Sequence, residues 1–367
     1  MHSGGAVGGV GSQGPNPLSG ERRAQAPHPL SPGTVLVLSG EDVRSLLLGE
    51  EHLLADVVRD AYLAHRDGET VLPHSSFLRL PLRSSERAIA LPAYLGGRFQ
   101  AMGIKWIASF PENPRRGLER ASGIVILNSV VTGRPIALLE GSLVSVKRTA
   151  ASAALAARLL LPLDSPAPLG LIGCGPVNLE VLSFLSVLVP EIESVIAFDT
   201  SIERAQQFGA RCGALVPALP VSIAPRLVDV LEQASVVSIA TTAARPHIFS
   251  LGARPPAVIL HLSLRDLAPQ VVLRCANLVD DVDHVCRAET SLQLVEQVTG
   301  DRAFIDGSLG EFLATGELRA PAKRRTTVFS PFGLGILDIA VGQVVFARAL
   351  ERGVGMLVPN FFPRNAI

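Results

Sequence analysis

The stretch from Leu169 to Asn178, L-G-L-I-G-C-G-P-V-N, constrains the fold of this chain most. Its apolar start ends in Gly173-Cys174-Gly175, and an apolar segment with helical spacing, Val177 to Val189, follows directly. Strand, glycine turn and helix present free backbone N–H groups and a positive helix end to a pyrophosphate. Asn178 stands where such fingerprints place a third small residue, and a plain α/β turn that needs glycine is the alternative.

An acidic residue follows at the spacing that a dinucleotide site requires. Ser194 to Phe198 predicts a second strand, and Asp199 stands at its end. A carboxylate there accepts the ribose hydroxyls of NAD and repels the 2′-phosphate of NADP. We therefore predict NAD as the cofactor. The turn residues Pro176 and Val177 and the strand ends at Thr241 and Ser263 complete the predicted cofactor site.

Composition excludes several classes of protein. Lysine plus arginine and aspartate plus glutamate both number 33 among the 367 residues, so no net field favours nucleic acid or an anionic membrane. No apolar run approaches the roughly 20 residues that span a bilayer. The four cysteines lack C-x-x-C spacing, which favours reduced thiols in a cytoplasmic protein.

The chain divides into three parts by pattern. Residues 1–33 are rich in Gly, Pro and Ser, carry no apolar segment of a secretory signal, and predict a disordered extension. Residues 149–327 alternate strands and helices, which predicts a Rossmann-type, doubly wound parallel sheet. Residues 34–148 and 328–360 predict a discontinuous α+β domain for substrate binding and dimerisation.

The first part of that α+β domain predicts an antiparallel or mixed sheet. Its strands are expected at Phe77–Leu82, Ala88–Leu91, Met102–Ala108, Ile124–Leu127 and Ile136–Leu139, with the polar residues 83–87 as a connection. An alanine-rich helix, Ser142 to Leu161, comes next and carries the pair Lys147-Arg148.

Four charged residues are candidates for chemistry. Asp266 follows a largely apolar strand and is expected to face the cofactor cleft as an acid/base, or to cap a helix that starts at Ala268. Arg148, on a small-residue helix, offers a bidentate seat for a carboxylate or forms a structural ion pair. On spacing alone, Lys105 and Arg79 are typical of solvated strand faces.

Other site classes find little support. Asp281, Asp283, His284 and Cys286 cluster without the spacing of a metal site, so no metal is predicted. No G-x-S-x-G elbow or Walker loop occurs, and arginines are not interleaved with aromatic residues.

The order of these motifs resembles the ornithine cyclodeaminase/μ-crystallin family from about Thr34 to Gly353. Met102–Ile107, Glu119–Ile126 and Arg148–Ser152 look most similar to its N-[(2S)-2-amino-2-carboxyethyl]-L-glutamate dehydrogenases, which make L-2,3-diaminopropionate for siderophores and peptide antibiotics.

The resemblance assigns roles to individual residues. It implies that Lys105 binds the substrate carboxylate and moves protons, that Arg148 and Arg79 bind carboxylates, and that Asp266 is the acid/base. Gly173, Gly175, Asp199 and Thr241 match the family's cofactor-contacting positions.

Departures from the cyclodeaminase pattern favour the dehydrogenase branch. Ala90 stands where cyclodeaminases place a glutamate, and Arg120 replaces a threonine, which suits a substrate with an additional carboxylate. Gln270 replaces a lysine that often contacts the cofactor.

The resemblance also implies partners and alternatives. It implies a homodimer and an upstream pyridoxal-phosphate-dependent synthase that makes the conjugate. The alternatives are a cyclodeaminase, an alanine dehydrogenase or a ketimine reductase of the same family, or a non-catalytic crystallin-like binding protein.

Overall fold

The computed structural model describes residues 30–31, 33–81, 83–161, 165–319 and 326–362, and for residues 83–85 the main chain only. Most of the predicted extension, residues 1–29 and 32, lies outside the described residues. Within the described ranges the chain forms two eight-stranded sheets.

The first sheet is mixed, as the sequence predicts. Its order is β16-β1-β7-β6-β5-β4-β2 with β3 beside β4, and β1 and β7 are its parallel pair. The strands are β1 (Val35–Leu38), β2 (Thr70–Val71), β3 (Ser76–Leu80), β4 (Arg83–Leu95), β5 (Ala101–Ser109), β6 (Ala121–Asn128), β7 (Pro135–Glu140) and β16 (Met356–Val358).

The strand β4 corrects one prediction. Residues 83–87, expected as a polar connection, are the first part of this strand, and Arg87 pairs with Arg79 on β3. Main-chain hydrogen bonds across the tight reversal define the strand there, so its polar composition concealed it. The correction places Arg87 opposite a predicted substrate ligand.

The second sheet is parallel throughout, in the order β10-β9-β8-β11-β12-β15-β13-β14. The order reverses between β8 and β11, and ligands of such sheets bind at the carboxyl ends beside that point. The strands are β8 (Ala167–Ile172), β9 (Ile192–Phe198), β10 (Val221–Ile223), β11 (Val236–Ile239), β12 (Val258–His261), β13 (Ala276–Val279), β14 (Gly307–Ser308) and β15 (Thr327–Ser330). Residues 328–330, assigned from sequence to the first domain, therefore lie in this sheet.

Helices cover both sheets. They are α1 (Gly40–Leu47), α2 (Glu51–Arg66), a 3-10 helix (Asn113–Arg116), α3 (Gly141–Leu160), α4 (Pro176–Leu188), α5 (Ile202–Leu215), α6 (Leu227–Gln233), α7 (Pro269–Val272), α8 (Val282–Val285), α9 (Ser291–Thr299), α10 (Leu309–Thr315) and α11 (Gly335–Arg352). None of them, in the described part of the chain, is long and apolar enough to cross a membrane.

Two long helices join the two sheets. The buried alanines of α3 let it approach α4 closely, and α11 returns to pack across β4 and β5. One continuous apolar core therefore runs from the first sheet to one face of the second. This packing brings side chains from β5, α3 and α11 to the carboxyl edge of the parallel sheet.

Candidate active site

The glycine turn after β8 has the shape of a phosphate cradle. Gly173 has a φ of +93°, and a Cβ there would lie 2.4 Å from the carbonyl oxygen of Ala240, so only glycine fits. A Cβ on Gly175 would meet no heavy atom within 4 Å, and no described side chain caps α4. An uncapped helix start that faces open space fits a pyrophosphate.

Asn178, which stands where such turns usually have a third small residue, stabilises this turn by hydrogen bonds. Its amide nitrogen donates to the carbonyl oxygens of Ile172 and Gly173 at 3.0 and 2.8 Å. Its oxygen accepts the hydroxyl of Ser238 on β11 at 2.7 Å. The buried amide therefore ties strand, turn and helix together where a small residue would only allow close packing.

Asp199 lies beside this turn, at the end of β9. One carboxylate oxygen accepts the backbone N–H of Cys174 at 3.0 Å, and the other accepts that of Ser201 at 3.1 Å. The guanidinium of Arg204 is 3.6 Å away and mostly exposed. The carboxylate is thus fixed at the position where a ribose of a bound dinucleotide is expected.

Lys105 and Arg148 meet at a carboxylate that sequence reasoning missed. Asp338 on α11 is fully buried and lies 2.7 Å from Nζ of Lys105 and 3.3 Å from Nε of Arg148. The hydroxyl of Ser145 accepts from both cations. Two cations and one carboxylate leave one uncompensated positive charge, which a single substrate carboxylate would neutralise.

Lys105 and Arg148 are both buried, which changes the pKa of the first and brings the second against the backbone. Burial lowers the pKa of Lys105 to about 8, although the charge of Asp338 opposes that change. Gly333 has a φ of +95°, and a Cβ there would lie 2.6 Å from Nη1 of Arg148. The guanidinium therefore packs directly on the backbone of the loop before α11.

Asp266 follows β12 as expected but is not an open carboxylate. It is fully buried, its oxygens accept from Ser263 at 2.5 Å and from Thr241, and they lie 3.1 Å from Nε2 of His247 and 3.2 Å from Nε2 of His261. Burial raises its pKa, but His261, Ser263 and Thr241 outweigh that effect and hold the pKa well below its usual range.

The structure shows what the residues predicted near Asp266 contact. The hydroxyls of Thr241 and Ser263, predicted to contact the cofactor, bind Asp266. The cap of α7 is Ala268, so the alternative interpretation of Asp266 as a helix cap is wrong. His247, whose side chain is 36% exposed, is the part of this group that reaches the surface. Its position after β11 was the only signal in the sequence.

Four arginines lie close enough to act on one another's charges: Arg79 and Arg120, which the sequence predicted, and Arg87 and Arg265, which it missed. Burial lowers the pKa of Arg87, and the charges of the other three lower it further. Like charges opposite each other on paired strands destabilise a sheet. The Nε atoms of Arg87 and Arg120 are buried without a hydrogen-bond partner among the described residues. An anion is therefore expected between them.

The backbone beside this cluster is strained. Leu264, Ala288 and Glu289 have φ angles of +67°, +55° and +58°. Arg265 donates to the carbonyl oxygen of Ala288 at 2.5 Å, and Ser291 N–H donates to that of Leu264 at 2.7 Å. Strain of this kind persists where the surroundings enforce it and is frequent at functional sites.

The acidic cluster after β13 serves other contacts. Asp281 binds His284 and His65, and Asp283 pairs with Arg302. Cys286 is buried, and burial raises the pKa of its thiol to about 11. Among the described residues, no group of three His, Cys, Asp or Glu side chains is placed to hold a metal ion.

Comparison with known proteins decides the family. Residues 35–353 match the model of the ornithine cyclodeaminase/mu-crystallin family. The chain belongs to this family. The resemblance predicted from the motifs is confirmed, as is the doubly wound α/β fold.

The matches to individual relatives cover nearly the whole length of each relative. An N-((2S)-2-amino-2-carboxyethyl)-L-glutamate dehydrogenase of Staphylococcus aureus is 28% identical over 88% of this chain and 97% of its own. A Delta(1)-pyrroline-2-carboxylate reductase of Bacillus cereus is 26% identical over 88% and 98%. The structure of an archaeal alanine dehydrogenase dimer with bound NAD matches with a TM-score of 0.79 and 25% identity, over 90% of this chain and all of that one.

Proposed function

We propose that this family member oxidatively cleaves N-[(2S)-2-amino-2-carboxyethyl]-L-glutamate to L-2,3-diaminopropionate and 2-oxoglutarate. The observation that carries the proposal is the cluster of Arg79, Arg87, Arg120 and Arg265, together with the buried pair Lys105 and Arg148. A substrate with three carboxylates supplies the anions that so many cations require. An amino acid with one carboxylate would leave Arg87 or Arg120, whose Nε atoms have no hydrogen-bond partner among the described residues, without an anion.

The broader activity is supported by the relatives. The chain is an NAD-dependent oxidoreductase that acts on a C–N bond, and the predictions of enzyme class and cofactor are confirmed by its relatives. When bound, NAD would supply the acceptor for a hydride from the glutamyl α-carbon, and water added to the resulting imine would release the two products. Gly173, Gly175 and Asp199 would hold the dinucleotide.

The cations of the site orient the substrate. Arg148 and Lys105 bind the carboxylate next to the reacting carbon, because Asp338 leaves them one net positive charge. Arg79 and Arg120 bind the other carboxylates. Fixing one molecule at several charged points brings the reacting carbon within about 3 to 3.5 Å of its acceptor, as such transfers require.

Asp266 and Lys105 are the groups that take part in proton transfer. A lysine whose pKa is lowered to about 8 exchanges a proton near neutral pH. Asp266 stays ionised, because its pKa lies well below the usual range, and one of its oxygens lies 3.1 Å from Nε2 of His247, the exposed end of its hydrogen-bonded group. Together they activate the water that attacks the imine.

The decisive assay follows NADH absorbance with the synthetic conjugate, ornithine, alanine and proline as substrates. The proposal predicts NADH formation with the conjugate and none with ornithine, alanine or proline. Ammonia and proline from ornithine would establish a cyclodeaminase instead. Turnover of alanine or proline would establish an alanine dehydrogenase or a ketimine reductase. A protein that binds NADH and turns over none of them would be a binding protein like the crystallin relatives.

Arg120→Leu tests the additional cation. Hydrogen bonds to charged groups contribute about 1.5–3 kcal/mol, so kcat/KM for the conjugate should fall roughly 10- to 100-fold, mainly through KM. Arg115→Leu, at a side chain that is 82% exposed in the same loop, is the matched control and should change nothing. Equal effects of the two changes would contradict a direct role for Arg120.

Asp199→Ser tests the choice of cofactor. The change removes the carboxylate that repels a 2′-phosphate and leaves Arg204 nearby. Steady-state kinetics should show a loss of roughly 10- to 100-fold in kcat/KM for NAD and a gain for NADP. Glu203→Ser alters an exposed acid at the start of α5, the helix that carries Arg204, and should leave the preference for NAD over NADP unchanged. An unchanged preference in Asp199→Ser would contradict the ribose assignment.

The exposed face of the first sheet bears on how the protein assembles. We propose a cytoplasmic homodimer built through the first sheet, where Trp106 and Ile124, paired across β5 and β6, are 39% and 37% exposed. The archaeal relative is described as a dimer. The conjugate itself would come from a pyridoxal-phosphate-dependent synthase.

A further inference from the structure

A pocket of about 260 Å³ lies between β3 and the segment that follows α8. Four of its eight lining residues are histidines or arginines, and two are phenylalanines. The histidines and arginines are His74, Arg79, His284 and Arg287, and the phenylalanines are Phe77 and Phe332. A pocket of this composition favours an anion.

His284 is held in this pocket by one edge of its ring only. Its Nδ1 lies 2.8 Å from Oδ1 of Asp281, and the residue is 7% exposed. Its Nε2 is buried and has no hydrogen-bond partner among the described residues. A buried polar atom without a partner is costly, so a ligand atom is expected to meet it.

The charges around His284 favour its protonated form. Asp281 also accepts from Nε2 of His65 at 3.1 Å, which fixes its orientation. Burial lowers the pKa of His284, but Asp281 and Asp280 outweigh burial and raise it, against the opposing charge of Arg287. The rings of His74 and His284 have centroids 5.2 Å apart and are tilted by 50°, and Arg79 also lines the pocket. A protonated ring presents Nε2–H as a donor.

We infer that this pocket receives the distal carboxylate of the substrate's glutamyl part, with Nε2–H of His284 as a hydrogen-bond donor. The inference rests on the proposed function and assigns one of its three carboxylates. Phe332 of the pocket is adjacent to Gly333, on which the guanidinium of Arg148 packs. The pocket thus begins beside the group that binds the carboxylate next to the reacting carbon. The short carbon chain between the two carboxyl groups of a glutamyl unit matches that adjacency.

The test uses the product 2-oxoglutarate and its monocarboxylate counterpart pyruvate. Their affinities for the protein–NADH complex are measured by NADH fluorescence in wild type, in His284→Gln and in His52→Gln, a control at an exposed histidine on α2. His284→Gln should weaken 2-oxoglutarate roughly 10- to 100-fold and leave pyruvate unchanged. Equal losses for both ligands, or no loss, would overturn the inference.

A pH series provides the second readout. Because the donor must be protonated, wild-type affinity for 2-oxoglutarate is full below the pKa of His284 and falls as pH rises through it. Asp281→Asn keeps the ring and removes the charge that raises its pKa, so the fall should move to lower pH. An unmoved fall would overturn the inference. If wild type fails to oxidise the conjugate but keeps this His284-dependent selectivity, the proposed function fails and the pocket assignment stands.

Discussion

Asp266→Asn is expected to lower kcat for the conjugate by about 10²- to 10⁴-fold, the range typical of a lost acid/base group. The carboxylate is fully buried and holds His247, His261, Thr241 and Ser263 around one negative charge. An amide keeps the size, loses that charge and turns one acceptor into a donor. KM should change less than kcat, because the side-chain contacts of Asp266 are with His247, His261, Thr241 and Ser263 and not with Lys105, Arg148, Arg79 or Arg120.

The same variant has a distinctive pH signature in stability. The folded pKa of Asp266 is depressed, so its stabilising contribution is present above the unfolded value of about 3.9 and is lost as pH falls. The difference in unfolding free energy between wild type and Asp266→Asn should therefore narrow as the solution is acidified. Asp283→Asn, at an exposed carboxylate on α8, is the control. Full turnover by Asp266→Asn would show that the base is another residue.

Asp338→Ala is expected to destabilise the protein by about 3–5 kcal/mol, because it leaves buried cations without their partner. Lys105 is 2% and Arg148 8% exposed, so water cannot replace the carboxylate. Urea unfolding would measure the loss, and Glu351→Ala, an exposed acid on the same helix, should lie near wild type.

A second variant separates charge from packing. Lys105→Met combined with Asp338→Ala removes one of the two cations, so the double variant should be more stable than Asp338→Ala alone. It should remain inactive, because in the proposed mechanism Lys105 binds the substrate carboxylate and exchanges a proton. A double variant less stable than the single one would show that Asp338 acts through packing instead of charge.

The fold was largely predictable because its signals are local. The run Leu169–Asn178 and the alternation after it specify a parallel sheet, and both are confirmed. Strand β4 was cut short because residues 83–87 are polar. That error hid Arg87, whose pairing with Arg79 depends on the strand register.

The site was predictable only where a motif carried it. Lys105 and Arg148 were found from their motifs and do lie together, but Asp338 is 190 residues beyond Arg148. No spacing rule joins positions so far apart, although Asp338 is the only charged residue between Gly333 and Arg348. The contact of Asp266 with His247, 19 residues earlier, likewise depends on the backbone bridge that joins Ile248 to Leu267.

The most direct measurement incubates the full-length enzyme with the synthetic conjugate and NAD and quantifies three products from one reaction. The proposed cleavage predicts NADH, 2-oxoglutarate and L-2,3-diaminopropionate in equal amounts. NADH without 2-oxoglutarate, or no NADH from the conjugate while ornithine yields ammonia and proline, would contradict it.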